Sequence, residues 1–138
     1  MTAKDCILGR RSIRRFKSDV IHHDILEEIV ETASYAPSWK HTQITRYIAV
    51  EGALKDQIAA EACEAWKPNA DIINSAPMLM VISVIKNRSG FERDGSYSTP
   101  RKDGWQMYDA GVASQTFCLA AHDKGIGSVI LGIFDSNK

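Results

Sequence analysis

Residues Arg10, Arg11, Ser12, Ile13, Arg14, Arg15, Phe16 and Lys17 are consecutive and place five cations and a hydroxyl within eight positions. The planar fork of arginine donates two parallel hydrogen bonds, which suits a phosphate. Charge alone is equally consistent with a solvated basic surface. Ile13 and Phe16 interrupt the cations, however, so part of the segment packs inward and the cluster is held against the body of the protein. A second stretch, residues 36–47, gathers Pro37, Ser38, Thr42 and Gln43, with Trp39 available for stacking. On its own it is an ordinary polar loop. Its histidine, His41, combines with no other residues into a recognisable nucleophilic triad. There is no Walker-type phosphate loop, and Gly125 and Gly127 lack the further glycine and helix of a dinucleotide fingerprint. Cys6, Cys63 and Cys118 are far apart, odd in number and without Cys/His ligand spacing. That pattern disfavours structural zinc and predicts packed, reduced thiols.

These segments must be positioned by regular elements. Over residues 24–35, Ile25, Leu26, Ile29, Val30 and Ala33 form the apolar stripe of an amphipathic helix. Asp24 is placed to cap it, Glu27 stands in capping-box position and Pro37 follows its end. A short β-prone run at 47–50 and a helical pattern at 54–66 come next. Residues 78–85, Met-Leu-Met-Val-Ile-Ser-Val-Ile, are almost unbroken apolar and predict a central strand buried on both faces. The polar stretch 86–104 is long for a connection and points to a functional or mobile loop. A last long helix is expected over 105–124, ended by Gly125, with the small residues Ala110, Gly111, Ala113 and Ser114 allowing close approach of another helix, on a second subunit or within the chain. A final strand is expected over 127–132. Helices and strands in this order imply one α+β domain, residues 1–138, with its sheet covered by helices.

Composition narrows the classes further. The 138 residues suffice for one compact domain burying roughly two thirds of its unfolded surface. Hydrophobic residues at 44% and charged residues at 25% exclude a disordered chain. Seventeen Lys+Arg balance seventeen Asp+Glu, which argues against a dedicated nucleic-acid binder. No apolar run reaches the length of a membrane helix, and the first eleven residues lack the features of a secretory signal, so a cytoplasmic location is expected.

Three strings carry a resemblance: GRRSIRRF at 9–16, ILEEIVETASYAPSWKHTQITRYIAV at 25–50, and DAGVASQTFCLAAHDKGIGSVILGIFD at 109–135. In this order, and over nearly the whole chain, they resemble the nitroreductase family of flavin mononucleotide (FMN) oxidoreductases. The resemblance implies a nitroreductase-like α+β fold with a central mixed β-sheet flanked by helices. It implies FMN as cofactor, with Arg10, Arg11, Ser12 and Arg14 on its phosphate and ribityl chain. It also implies a homodimer with FMN at the subunit interface, in which Pro37, Ser38, Trp39 and Gln43 reach the partner's flavin. The backbone at Leu131 and Gly132 would lie near the isoalloxazine ring.

The implied activity is a ping-pong oxidoreduction in which NAD(P)H gives a hydride and leaves before a nitroaromatic or quinone acceptor binds. The flavin carries that chemistry, so no catalytic side chain and no metal is expected. His41 and Ile44 stand where the family usually has Asn and Pro. Members also usually continue several tens of residues past the position of Lys138, with a further cation for the phosphate, so either this chain is a fragment or it is a short member in which weaker flavin retention is expected. Two alternatives remain at this level. One is another flavin-dependent reduction on the same fold, such as dehalogenation, with specificity in 86–104. The other is a non-catalytic anion- or RNA-binding module built on residues 10–17, disfavoured by net neutrality and by the lack of interleaved aromatics.

Overall fold

The computed structural model describes residues 1–138 and contains five α-helices and two strands. Helix α1 (Ala3–Gly9) starts at Thr2, whose hydroxyl oxygen accepts the Asp5 N–H at 3.1 Å. Helix α2 (His23–Ser34) leads through a single 3₁₀ turn, Trp39–His41, to strand β1 (Thr45–Val50). Helices α3 (Gly52–Ala62) and α4 (Lys67–Ser75) follow, then strand β2 (Leu79–Val84) and the twenty-residue helix α5 (Gly104–Asp123). The architecture is α+β, and no helix is long and apolar enough to cross a membrane.

The core lies where α2 packs on α5. Ile29 and Ala33 of α2 meet Phe117, Ala120 and Ala121 of α5, with Tyr47 and Met80 from the strands packed against them. Tyr47 stacks on Phe117 with ring centroids 5.4 Å apart. That burial raises the pKa of the Tyr47 phenol. Alanines on the facing helix allow α2 to sit close, and the amphipathic stripe read from the sequence is the face that does so. Helix α5 ends at Lys124, followed by Gly125 at φ +75°. The Ile126 N–H donates to Ala121 O and the Gly125 N–H to His122 O, both at 2.9 Å, closing a Schellman motif with Ile126 against the core. A smaller cluster of Ala59, Cys63 and Ile73 joins α3 to α4. There the buried Lys55 ammonium donates to Ile73 O and to Asp56 Oδ1. All three cysteines are free and buried, as expected.

Several expectations are corrected. The sheet is two-stranded and antiparallel, with Thr45 opposite Val84 and Val50 opposite Leu79. The mixed character expected of it is reduced to one isolated parallel bridge, Ser12 to Ser128. Residues 127–132 therefore form no strand: the arginine segment touches them through one ladder hydrogen bond, Ile13 N–H to Ser128 O, and then departs. Strand β2 is half-buried rather than buried on both faces, because β1 is its sole paired neighbour. The helix expected over 54–66 stops at Ala62, and Pro68 opens α4 instead, at a position where its missing N–H is harmless. Asp24 does not cap α2: His22 occupies the N-cap without a side-chain bond, and Asp24 lies in the first turn, where its charge still favours the helix dipole. Ala110 and Ala113 are buried within the chain, leaving Gly111 as the exposed member of the small-residue set.

Because Ile29 is only 2% exposed at the α2–α5 seam, Ile29→Ala is expected to cost about 2–5 kcal/mol of folding free energy. A urea titration measures this, and a loss under about 1 kcal/mol would show that the seam is not the main core.

Candidate functional site

The basic segment is fixed by what precedes and follows it. The Cys6 thiol of α1 donates to Leu119 O at 3.1 Å, and Gly9 lies so near His122 that an added Cβ would stand 2.9 Å from its Nε2. Downstream, the Ile13 N–H donates to Ser128 O at 3.0 Å, and Ile13 fills the space a side chain on Gly127 would need. Arg10, Arg11, Ser12 and Arg14 are thereby held at the C-terminal end of α5, beside the stretch that continues to Leu131 and Gly132. Arg11 and Arg14 donate only to nearby carbonyls, of Leu8, Arg10 and Ser12. None of the five cations of residues 10–17 pairs with a carboxylate. The N–H groups of Leu131 and Gly132 donate to nothing in the chain. The Leu131 side chain is anchored against the α3–α4 cluster.

The loop at 37–43 is held at the opposite end of α5. The backbone N–H of Trp39 donates to both carboxylate oxygens of Asp109, at 3.2 and 3.0 Å, and Asp109 is buried. The Trp39 ring packs on Trp105 with centroids 4.8 Å apart. The Ser38 hydroxyl oxygen accepts the Gln43 N–H at 2.9 Å, and the Gln43 amide approaches Ser34 O. Lys40, His41 and Gln43 all have left-handed backbone, at φ 44°, 54° and 45°. Three non-glycine residues in that region within four positions mark a strained loop, and such strain persists only where surrounding contacts enforce it. Ile44 supplies one such contact: it is fully buried, and its carbonyl accepts the Ile85 N–H. Pro37 and the His41 ring are exposed.

The connection at 86–104 is folded rather than loose. Ser89, fully buried, donates through Oγ to Asp109 Oδ2 at 2.7 Å, and the Asn87 N–H donates to Gln106 Oε1 at 2.8 Å. Lys40 reaches across to Glu92, which also accepts from Ser98. The Ser98 hydrogen bond and the Lys40 ammonium hold the Glu92 carboxyl below the usual carboxylate range. This tether is therefore intact at neutral pH and is lost as pH falls through that lowered value. Asp109 is the organising residue that sequence reasoning missed. The string DAGVASQTF begins with it, but nothing in its spacing shows that one carboxylate would receive two separate loops.

Three buried side-chain polar atoms have no partner in the chain: Trp39 Nε1, Thr42 Oγ1 and Ser128 Oγ. Two of them lie in the loop at 37–43, and the third lies on the stretch after α5, beside the arginine segment. Buried polar groups are nearly always satisfied, so these three atoms are the candidates for partners from outside the chain.

The Nitroreductase family model matches residues 7–138, and the chain belongs to that family. It is similar to the "Putative NADH dehydrogenase/NAD(P)H nitroreductase" of Methanothermobacter thermautotrophicus, with 23% identity over 97% of this chain and 62% of the relative. The chain thus spans less than two thirds of that relative's length. Among solved structures, a nitroreductase family protein from Clostridium novyi NT is 28% identical with a TM-score of 0.81, covering 99% of this chain and 73% of that one. A "putative nitroreductase in complex with FMN" from Desulfovibrio desulfuricans is 26% identical with a TM-score of 0.72, over 94% of this chain and 67% of that one.

Removing the Asp109 carboxylate strands the Trp39 N–H and the Ser89 hydroxyl. Asp109→Ala is expected to cost at least about 2 kcal/mol and to shift the tryptophan emission as Trp39 leaves Trp105. Asp109→Asn, retaining one acceptor oxygen, should fall between. Unchanged emission and stability in both variants would overturn the clamp.

Proposed function

We propose that this chain is an FMN-dependent NAD(P)H oxidoreductase that reduces nitroaromatic or quinone acceptors, and that it works as a homodimer with FMN at the subunit interface. The single observation that carries this is the distribution of the three unpartnered buried polar atoms. Ser128 Oγ lies beside the arginine segment at one end of α5, and Trp39 Nε1 and Thr42 Oγ1 lie in the loop at the other. Asp109 and Lys124 are about 22 Å apart along the helix, at a rise of about 1.5 Å per residue. One ligand of mononucleotide size does not bridge that span within one chain. A second copy, bringing its own loop to this chain's arginine segment, completes the site. The FMN carried by the similar Desulfovibrio desulfuricans protein supports the cofactor, and the similarity to the archaeal NADH dehydrogenase/NAD(P)H nitroreductase supports NAD(P)H.

When bound, FMN supplies the ring that accepts and passes on a hydride. The chain's own residues bind and orient. Arg10, Arg11 and Arg14 neutralise the phosphate, with the Ser12 hydroxyl as a further donor. The free N–H groups of Leu131 and Gly132 offer donors that cannot themselves lose or gain a proton near neutral pH. From the second copy, Pro37, Ser38, Trp39 and Gln43 cover the ring and exclude water, and the clamp on Trp39 means that little ordering remains to be done on binding. A cytoplasmic location belongs to the same proposal. Leu8, Met107, Ile130 and Phe134, all more than half exposed, are apolar surface suited to the second copy.

The purified protein is expected to be yellow, to consume NAD(P)H when a quinone is added, and to sediment as a dimer at micromolar concentration. A colourless monomer without turnover after soaking in FMN would refute the proposal. Arg10→Ala and Arg14→Ala should each weaken FMN binding by about tenfold to a hundredfold, the worth of a charge-assisted hydrogen bond. Flavin titration measures this, and unchanged dissociation constants would remove both arginines from the site.

A further inference from the structure

A cleft of about 400 Å³ opens at the start of α5, lined by Arg101, Gly104, Trp105 and Tyr108. Of its lining, Trp105 is half-buried and held in place, while Arg101, Gly104 and Tyr108 are exposed. The Trp105 indole N–H donates to Thr99 Oγ1 at 2.8 Å. Behind it, Gly90 at φ +85° approaches so closely that an added Cβ would stand 3.1 Å from the indole and 2.4 Å from Lys102 O. Tyr108 meets Trp105 edge-on at 5.5 Å, and Trp39 packs on the same indole at 4.8 Å. The charged lining is a single cation. The Arg101 guanidinium lies 6.0 Å from the Trp105 ring and has neither a carboxylate partner nor a hydrogen-bond acceptor in the chain. Lys102 is turned over Tyr97 instead, at 5.8 Å. No carboxylate lines the cleft.

We propose that this cleft binds the acceptor, and that the acceptor class is an aromatic carboxylate: ring against Trp105 and Tyr108, carboxylate on the fork of Arg101. An unpaired guanidinium beside two aromatic rings offers an anion a bidentate donor and a planar body a stacking surface. The volume suits a single substituted ring, within the usual size range of ligand pockets. The inference rests on the proposed function in one respect: Trp39, which packs on Trp105, belongs to the loop that faces the second copy's flavin, and this puts the cleft next to the reaction. For a nitro-substituted member of the class, reduction to the nitroso compound consumes one NAD(P)H and one proton from solvent. It breaks one N–O bond, oxidises NAD(P)H to NAD(P)⁺ and releases one water.

The test compares 4-nitrobenzoate with its neutral counterpart 4-nitrobenzyl alcohol, by calorimetric binding and by kcat/KM, on the FMN-loaded dimer. The wild type is expected to favour the anion about tenfold or more in both measurements. Arg101→Gln should bring that ratio close to one, Arg101→Lys should retain part of it, and Tyr108→Ala should weaken both ligands alike. Equal affinity for the two compounds in the wild type, or a ratio unmoved in Arg101→Gln, overturns the proposal. A variant whose KM for NADPH rises while the nitrobenzoate ratio stays fixed overturns it too, and assigns Arg101 to a nucleotide phosphate. Calorimetry needs no turnover, so it separates the two readings. A protein that binds no FMN yet holds 4-nitrobenzoate through Arg101 refutes the flavin assignment and retains the ligand class of the cleft.

Discussion

The close packing of α2 against α5 is the constraint on which the other parts depend. Ala33, Ala120 and Ala121 allow the two helices to approach, and Ile29 and Phe117 fill what remains. Once that seam forms, the end of α2 delivers the chain to the start of α5, and the arginine segment is drawn to its other end. Lys124 then pairs with Glu28 across the same two helices. Alpha-helical packing of this kind fixes relative position through volume, so a helix with larger side chains at these alanines would separate the elements that carry the polar segments.

At the start of α5 a second level of organisation is polar. Asp109 accepts from the Trp39 N–H and from Ser89, and so joins the loop at 37–43 to the connection at 86–104. Lys40 and Ser98 converge on Glu92 in the same way at the surface. The two contacts differ in kind. A buried carboxylate with three hydrogen bonds is held in a low-dielectric setting where loss of a partner is costly, whereas the exposed Glu92 tether is softened by solvent.

Much of this was legible in the residues. The stripe over 24–35 predicted α2 nearly to the residue, Gly125 marked the end of α5, and of the two residues expected to turn the arginine run inward, Phe16 is half-buried while Ile13 lies against Gly127 yet stays 37% exposed. The misses share a cause. Residues 127–132 have the composition of a strand, but strand formation depends on a neighbouring segment, and only one hydrogen bond is available there. Helix α4 was missed because the helical pattern was followed only to residue 66, just before Pro68 opens a new helix. Asp109 was visible as a letter but not as a clamp, since its partners lie 70 and 20 positions away in sequence. Long-range polar contacts leave no periodic trace, whereas the cleft at Arg101, Gly104, Trp105 and Tyr108 is local and was hidden because it straddles the end of a polar stretch and the start of a helix.

The left-handed run at Lys40, His41 and Gln43 also has a consequence in time. Each such residue costs on the order of 1–2 kcal/mol, so the loop has no reason to adopt its shape before Asp109 is present to hold it. On a ribosome adding about 5–20 residues per second, the 70 positions between Trp39 and Asp109 correspond to about 4–14 s of synthesis. During that interval α2 and β1 have emerged, yet the loop between them stays unshaped. The shape of the loop is therefore acquired only once Asp109 has been made, and a nascent chain stalled before Asp109 carries its arginine segment beside an unshaped loop.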